Sequence, residues 1–231
     1  MAIERPLQYS KLPMKNYACI FDLDGVLVDT ADYHYDTWKR VAKELGHSIG
    51  DTLVEQLKGI SRMSSLDIVL NHLGVVIDSV EKHRLADLKN KWFIENLEDL
   101  NHSVVLPGVL DFIHSLRETN IDCAVGSASK NAARILKKLG MDSLFVSIVD
   151  GNDVRHTKPN SEVFLNAARD LQYMESDCIV FEDSTKGLTA ANSGGFHTVG
   201  VGDPTVLKEA GVVINSFEEA DYSRIVATLT S

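Results

Sequence analysis

The chain has 231 residues, of which 44% are hydrophobic and 24% are charged, as in an ordinary soluble globular protein with a full core. Its formal net charge of −10 argues against nucleic acid and anionic membranes as partners, because both attract clustered Lys and Arg. No apolar run approaches the roughly 18 residues that a membrane span needs. A small anionic substrate remains compatible with this composition if a few cations are gathered locally.

The three cysteines and the N-terminal segment indicate the compartment. Cys19, Cys123 and Cys178 each lie in an apolar run and form neither a CxxC pair nor an even framework. They are expected to be buried, reduced thiols, which fits a cytoplasmic location. Residues 1–16 have no apolar segment of the kind found in signal peptides, and they contain two prolines. We expect them to form an extension that drapes over the core or is partly disordered.

Short apolar runs alternate with helical patterns along most of the chain. Helices between strands predict right-handed crossovers, and hence a doubly wound, Rossmann-like α/β fold with a parallel sheet covered on both faces. Pro107 and Pro159 suit the first turn of a helix, while Gly140 and Gly194 suit its end. The predicted strands are Tyr17–Phe21, Ile121–Gly126, Val146–Val149, Cys178–Phe181, His197–Val201 and Val212–Ile214, and the predicted helices are Pro107–Glu118, Lys130–Leu139, Pro159–Leu171 and Thr185–Ser193.

One long segment departs from this alternation. Residues 31–101 are helical in pattern throughout and are predicted to form a helical cap domain, inserted into a core domain made of residues 1–30 and 102–231. In open α/β sheets, ligands bind beyond the carboxyl ends of the strands, so the insertion is expected to roof the active site. Its predicted helices are Ala31–Leu45, Asp51–Leu57, Met63–Leu73 and Val80–Leu97.

Acidic residues directly follow the first predicted strand, in the stretch FDLDGVLVDT at 21–30. Carboxylates as close as those of Asp22 and Asp24 repel each other and are costly to bury without a cation. An EF-hand loop does not fit, because it needs Gly at its sixth position and Glu at its twelfth, where this chain has Leu27 and Tyr33. The pattern favours a hard cation such as Mg²⁺ over a solvated turn.

A second acidic pair, Glu182 and Asp183, ends another predicted strand. The carboxyl ends of parallel strands meet at one edge of a sheet, so Asp22 and Asp183 are expected to ligate Mg²⁺, with Glu182 as a further candidate. The alternative is that Asp183 or Ser184 caps the helix that follows. The two roles are compatible with each other.

Two other strand ends carry groups suited to phosphate. The stretch GSASKN at 126–131 leads into a predicted helix, so Ser127 and the nearby backbone N–H groups are expected to face an anion. Lys158 directly precedes a helix-starting proline, where a cation would complement phosphate. An isolated surface lysine is the alternative interpretation of Lys158.

The order of these motifs resembles the haloacid dehalogenase-like superfamily over nearly the whole chain from Tyr17. By that resemblance, Asp22 is the nucleophile that forms an aspartyl-phosphate. Asp24 is the general acid/base, and its backbone carbonyl also ligates Mg²⁺. The resemblance thus implies a metal site formed by Asp22, Asp24, Asp183 and the further candidate Glu182.

Within the superfamily, three segments are similar to the β-phosphoglucomutases. ADYHYDTW at 31–38 follows DLDGVLVDT, QLKGISR at 56–62 resembles that family's substrate-specificity loop, and SASKN at 127–131 matches its core loop. The resemblance implies that His34 helps to position the acid/base and that Arg62 binds the distal phosphate. The implied substrate-binding residues are Thr30, His34, Trp38, Lys58, Gly59, Arg62, Ser127, Ala128, Ser129, Lys130, Asn131 and Lys158.

The resemblance implies interconversion of β-D-glucose 1-phosphate and glucose 6-phosphate through an aspartyl-phosphate and β-glucose 1,6-bisphosphate. A Mg²⁺-dependent sugar-phosphate phosphatase of the same superfamily is the alternative. Trp38 can equally belong to the cap's hydrophobic core, and Lys58 and Arg62 can belong to a solvated face. Lys89 and Asn90 also resemble a cap pair near the substrate. A monomer is expected, because it suits a moving cap.

Overall fold

A six-stranded sheet lies at the centre of the structure, a computed structural model that describes residues 16–57 and 59–231. Its strands are parallel and run in the order β3-β2-β1-β4-β5-β6, so the predicted doubly wound fold is confirmed. The four-residue strand β1 is flanked by β2 and β4. The strands are β1 Ala18–Phe21, β2 Cys123–Gly126, β3 Ser147–Val149, β4 Cys178–Glu182, β5 His197–Val201 and β6 Val212–Ile214.

Helices cover both faces of this sheet. Side chains alternate along a strand, so Cys19 and Phe21 join the hydrophobic cluster on one face while Ala18 and Ile20 join the cluster on the other. Helices α5, α6 and α9 contribute to the first cluster, and α7 and α8 contribute to the second. The described helices are α1 Ala31–Glu44, α2 Asp51–Glu55, α3 Arg62–Leu73, α4 Ser79–Asn96, α5 Val109–Glu118, α6 Ala132–Lys138, α7 Glu162–Leu171, α8 Thr185–Ser193 and α9 Tyr222–Leu229.

Two helices begin later than their prolines predict. Gly108 caps α5 in the left-handed region, at φ 78°, so the helix starts after it rather than at Pro107. A turn separates Pro159 from α7, since the Asn160 side chain accepts a hydrogen bond from the Glu162 N–H at 2.9 Å. The prediction that these prolines occupy the first helical turn was therefore wrong.

Helices α1–α4 form the segment that we call the cap, residues 31–101. Most of their buried side chains, including Trp38, Leu66 and Leu85, form a hydrophobic cluster separate from the two clusters on the sheet. The carboxyl-terminal end of α4 is different, because its Phe93 and the residue that follows the helix, Leu97, join the cluster on the sheet. The cap thus has a core of its own and is attached to the sheet through α4.

The cysteine prediction is confirmed, since Cys19, Cys123 and Cys178 are all free and buried. Among the helices of the described chain, none is both long and apolar enough to cross a bilayer. The expected N-terminal extension, residues 1–16, lies outside the described residues except for Asn16, and Lys58 lies outside them too.

Candidate active site

The two predicted acidic pairs meet at the carboxyl edge of the sheet. Strand β1 pairs with β4 in a register that sets Phe21 against Phe181, and the Asp22 N–H donates to the Phe181 carbonyl at 3.0 Å. Asp22, Glu182 and Asp183 each present a carboxylate oxygen, and these oxygens lie within 4.8 Å of one another. Two segments about 160 positions apart in the chain therefore form one acidic cluster.

Lys158 lies inside this cluster rather than on the surface. Its Nζ atom is 2.7 Å from Asp22 Oδ1 and 2.6 Å from Glu182 Oε1, and the residue is only 3% exposed. Burial favours the neutral amine, yet attraction to the two carboxylates outweighs it and holds the pKa of Lys158 above its usual value. Lys158 is therefore a permanent cation beside Asp22.

Glu182 and Asp183 occupy different positions. Glu182 is fully buried, and both of its oxygens are engaged: Oε1 accepts from Lys158, and Oε2 accepts from the Ser184 N–H at 2.8 Å and hydroxyl at 2.9 Å. Ser184 is also the cap of α8, since its Oγ accepts from the Gly187 N–H at 3.0 Å. Of the two residues that the sequence offered as the helix cap, it is therefore Ser184 that caps α8. Asp183 lies on the wall of the cavity described below.

The cluster fits a divalent cation. The cluster contains three carboxylates, and the Lys158 ammonium group contacts two of them, so the ionised cluster has a formal excess of two negative charges. Burial raises the pKa of Asp22 above its usual value, and the neighbouring Glu182 and Asp24 carboxylates add to this, while Lys158 opposes it. Oxygen donors with an excess of negative charge match the preference of Mg²⁺.

Gly25 explains why glycine follows the two aspartates. Its φ is +84°, in the left-handed region, and a Cβ atom at this position would overlap the Asp183 carboxylate. Only glycine lets the loop after β1 pass this close to the end of β4.

Asp24 is held by Thr30, the last core residue before the cap, and lies near His34 on the first cap helix. The Thr30 hydroxyl donates a hydrogen bond to Asp24 Oδ1, and His34 Nε2 lies 3.9 Å from the same oxygen. Burial raises the pKa of Asp24 above its usual value, although the Thr30 hydrogen bond and Lys89 oppose this effect. Asp24 is therefore better suited than an ordinary aspartate to carry a proton.

His34 is in turn oriented by Lys89 on α4. Lys89 Nζ is 2.8 Å from His34 Nδ1, and a donating Lys89 leaves the ring proton on Nε2, the nitrogen nearest Asp24. Burial and the nearby Arg62 lower the pKa of Lys89 to about 7. Burial, Lys89 and Arg62 also hold the pKa of His34 well below its ordinary value, so His34 is neutral.

A cavity of about 450 Å³ lies beside these groups, and the loop before α3, which we call the cap loop, lines it through Gly59, Ile60 and Ser61. Arg62, the first residue of α3, lines it, and so does Trp38, which is also part of the cap cluster, so both interpretations of Trp38 hold. Lys158 and Glu182 lie outside the lining. The predicted residues that line the cavity are Asp22, Asp24, Thr30, His34, Trp38, Gly59, Arg62, Ser127, Ala128, Ser129, Lys130, Asn131 and Asp183.

The loop after β2 is held by its own serines. Ser127 Oγ accepts from the Ser129 N–H at 3.1 Å, and Ser129 Oγ accepts from the Asn131 N–H at 3.2 Å. Ser127 is buried, whereas Lys130 is exposed at the cavity rim. These two hydrogen bonds stabilise the loop conformation in which residues 127–131 line the cavity.

Gly59 joins the cap loop to the core. Its φ is +69°, and a Cβ atom there would overlap the Ser184 hydroxyl at the start of α8. The group that approaches Gly59 most closely is therefore a core side chain, although Gly59 also lines the cavity as the sequence predicts for a substrate loop.

Some cavity residues were missed at the sequence level. Arg155 and Thr157 line the cavity from the loop before α7, and Asp87 lines it from α4. The sequence pointed to Arg155 and Thr157 only through their position within three residues of Lys158. Lys89, which only the family resemblance indicated, also lines the cavity.

Comparison with known proteins gives the same family from sequence and from structure. The family model described as haloacid dehalogenase-like hydrolase matches residues 19–201. A β-phosphoglucomutase of Bacillus subtilis is 36% identical over 199 residues, which cover 85% of this chain and 88% of that protein. A phosphorylated carbohydrates phosphatase of Thermotoga maritima is 30% identical, with 85% of this chain and 92% of that protein covered.

A solved structure of a related protein supports the same family assignment. The crystal structure of a β-phosphoglucomutase from Clostridium difficile superposes with a TM-score of 0.89 at 36% identity, covering 93% of this chain and 97% of that one. The segment matched by the family model, residues 19–201, contains both acidic pairs, Lys158 and the cap. The chain therefore belongs to the haloacid dehalogenase-like hydrolase family.

Proposed function

We propose that the protein is a β-phosphoglucomutase, which interconverts β-D-glucose 1-phosphate and glucose 6-phosphate through an aspartyl-phosphate and β-glucose 1,6-bisphosphate. The observation that carries this proposal is that cap Arg62 lines the same cavity as core Asp22 and Asp24. A cation at the cap end and a nucleophile at the core end suit a sugar with two phosphate positions. The similarity to the Bacillus and Clostridium β-phosphoglucomutases supports it further.

Phosphoryl transfer begins with Asp22. A carboxylate oxygen of Asp22 attacks the phosphorus of the bisphosphate, the bond from phosphorus to the sugar oxygen breaks, and Asp24 donates its proton to that oxygen. In the reverse direction, Asp24 accepts the proton of a sugar hydroxyl that attacks the aspartyl-phosphate. Mg²⁺, held by Asp22 and Asp183 with the Asp24 carbonyl, would offset the charge of the phosphoryl group when bound.

The surroundings of the two aspartates support these proposed roles. Lys158 contributes a fixed positive charge next to Asp22, where negative charge accumulates during transfer. Thr30 of the core donates to Asp24, and His34 of the cap lies beside the same oxygen, so the full set of neighbours of the acid/base is assembled when the cap lies on the core. Water that enters an open site would therefore meet an aspartyl-phosphate without an aligned base.

The proposed partner is a small anionic sugar phosphate, and the proposed cofactors are Mg²⁺ and β-glucose 1,6-bisphosphate as activator. We also propose that the protein acts in the cytoplasm as a monomer, without nucleic acid or membrane partners. The excess of negative charge over the whole chain is consistent with solution chemistry on a small substrate.

A Mg²⁺-dependent sugar-phosphate phosphatase is the second candidate. The 30% identity to the phosphorylated carbohydrates phosphatase of Thermotoga maritima favours it specifically. The same aspartates would then pass the phosphoryl group to water instead of to a sugar hydroxyl. The two candidates differ in their products, since only the phosphatase accumulates inorganic phosphate.

The deciding experiment incubates the protein with each anomer of glucose 1-phosphate, Mg²⁺ and a trace of β-glucose 1,6-bisphosphate. We expect glucose 6-phosphate to form from the β-anomer, with free phosphate only in trace amounts. Stoichiometric release of phosphate without glucose 6-phosphate would replace the mutase by the phosphatase.

Replacement of Arg62 by Ala tests the role of the cap in that reaction. We expect kcat/KM for the mutase reaction to fall about a hundredfold, since a charged contact to the distal phosphate is lost, and hydrolysis of p-nitrophenyl phosphate to change little. The control is Arg134→Ala, an exposed arginine on α6 outside the cavity. Equal losses in both reactions would contradict the distal-phosphate role of Arg62.

A further inference from the structure

One cap side chain that does not line the cavity connects two residues that do. Asn90 Oδ1 on α4 accepts a hydrogen bond from Arg62 Nη2 at 2.8 Å and a second from Asn131 Nδ2 at 3.0 Å. Arg62 belongs to the cap and Asn131 to the core loop, and both line the cavity. Asn90 itself is half-buried behind them.

The chemistry of the three side chains determines their orientation. A guanidinium group can only donate, so the Asn90 atom that faces Arg62 must be its carbonyl oxygen. The Asn131 atom facing that oxygen must then be its NH₂ group. The Asn90 carbonyl oxygen thus accepts two hydrogen bonds, one from Arg62 of the cap and one from Asn131 of the core loop.

This arrangement has an electrostatic consequence. Arg62 is half-buried, and burial lowers the pKa of its guanidinium, against a raising effect of Asp87. A neutral amide oxygen satisfies one N–H of Arg62 without cancelling its charge, whereas a carboxylate at the same place would neutralise it. Asn90 therefore fixes Arg62 in place and leaves its positive charge available to an anion.

From this geometry we propose that Asn90 is a positioning residue for the remote phosphate of the substrate. It holds Arg62 of the cap and Asn131 of the core together as one anion-binding site, which is complete only when the cap lies on the core. The inference rests on the proposed function, because it needs a substrate whose second phosphate lies far from Asp22. It does not require that the reaction be a mutase rather than a phosphatase reaction.

The test compares two substrates in wild-type protein and in Asn90→Ala. β-Glucose 1,6-bisphosphate carries a remote phosphate, and p-nitrophenyl phosphate does not. We expect kcat/KM for the bisphosphate to fall about tenfold to a hundredfold through KM, with the p-nitrophenyl phosphate reaction unchanged within about twofold. Asn71→Ala, an exposed asparagine on cap helix α3, is the matched control and should change neither.

Two further measurements separate positioning from a general structural effect. Asn90→Asp has nearly the same shape, so it folds even if the alanine variant does not, and its carboxylate should weaken bisphosphate binding by neutralising Arg62. In the double variant Asn90→Ala with Asn131→Ala, the losses should be clearly less than additive, because the two residues act through one contact. Calorimetric titration with glucose 6-phosphate should show the same weakening without turnover.

Equal loss on both substrates, additive losses in the double variant, or unchanged bisphosphate kinetics in both Asn90 variants would overturn the inference. The product assay on the wild-type protein tests the proposed function separately. A protein that releases phosphate instead of forming glucose 6-phosphate would refute the mutase, while the selective effect of Asn90 on the bisphosphate would still stand.

Discussion

Asp22 is a buried carboxylate whose oxygen lies 2.7 Å from the ammonium group of Lys158. Replacing Asp22 by Asn keeps the shape but removes the proposed nucleophile, so turnover should fall on the order of a thousandfold or more. The far-ultraviolet circular dichroism spectrum should not change, because the amide oxygen can still accept from Lys158. Steady-state rates measure the loss, with Asp36→Asn on the exposed side of α1 as control. A near wild-type rate would show that another group is the nucleophile.

Lys89 carries a pH dependence of stability. Its pKa is about 7 in the folded protein, lowered chiefly by burial, whereas the unfolded side chain keeps its ordinary value near 10.5. Between these values the unfolded state binds more protons, so the free energy of unfolding contributed by Lys89 rises with pH, by at most about 1.4 kcal/mol per pH unit. Below pH 7 Lys89 is charged in both states, so the loss of folding stability caused by burying its charge is then complete.

Urea unfolding of wild-type protein and Lys89→Met at pH 7, 8 and 9 measures this contribution. The wild type should gain stability relative to the variant at each step upward. Lys91→Met, an exposed neighbour on the same helix, should give a curve parallel to that of the wild type. Parallel curves for Lys89→Met as well would mean that Lys89 titrates normally in the folded protein.

At the scale of elements, the loop before α3 determines how the cap meets the core. Gly59 and Gly74 both have left-handed backbones, at φ 69° and 65°, but only a Cβ at Gly59 would overlap a core atom, the Ser184 hydroxyl. The positive φ should cost both Gly59→Ala and Gly74→Ala about 1–2 kcal/mol of stability, and Gly59→Ala should lose somewhat more because its Cβ must displace the Ser184 hydroxyl. Gly59→Ala alone should also lower kcat of the proposed mutase reaction, since the added Cβ pushes the cap loop away from Ser184 of the core.

Melting temperatures and steady-state rates of the two glycine variants check this prediction. Equal rates in both would show that the Gly59 contact does not control cap closure. A much larger loss of stability in Gly59→Ala would instead indicate that the close approach of Gly59 to Ser184 is needed for the cap to fold.

Most elements were predictable from local patterns, and the differences have local causes. The helix Thr185–Ser193 and the strand His197–Val201 have the predicted bounds, because a serine cap and a clear apolar run define them. Helices α5 and α7 start later than predicted, because turns follow Pro107 and Pro159. Helix α9 was missed, since its pattern of eight residues is short.

Of the long-range contacts, those made by cap side chains could not be predicted from the sequence. The meeting of Asp22 with Asp183 was predictable, because each follows an apolar strand of the same parallel sheet. The contact of Lys89 with His34 spans 55 positions between two cap helices, and that of Asn90 with Asn131 joins cap to core across 41. Helical periodicity shows which face of a helix is buried, but it does not show which residue of another helix it will contact.

For the whole molecule, the sheet connects the acidic cluster to overall stability. Asp22 follows β1 and Asp183 follows β4, the two adjacent strands at the centre of the sheet. Without a divalent ion their carboxylates repel each other, opposing the packing of these strands. An ion that binds only the folded arrangement stabilises it by mass action, by about 2.7 kcal/mol at a concentration a hundredfold above its Kd.

Thermal unfolding with and without Mg²⁺ should therefore show a rise in Tm of about 5–10 °C for the wild-type protein. Asp183→Asn removes one carboxylate of the cluster, so its Tm without metal should equal or exceed that of the wild type, while its shift with Mg²⁺ should be much smaller. Asp142→Asn, an exposed aspartate away from the cluster, should keep the full shift. If Asp183→Asn responded to Mg²⁺ as strongly as the wild type, the ion would bind elsewhere, and the charge excess between β1 and β4 would need another source of compensation.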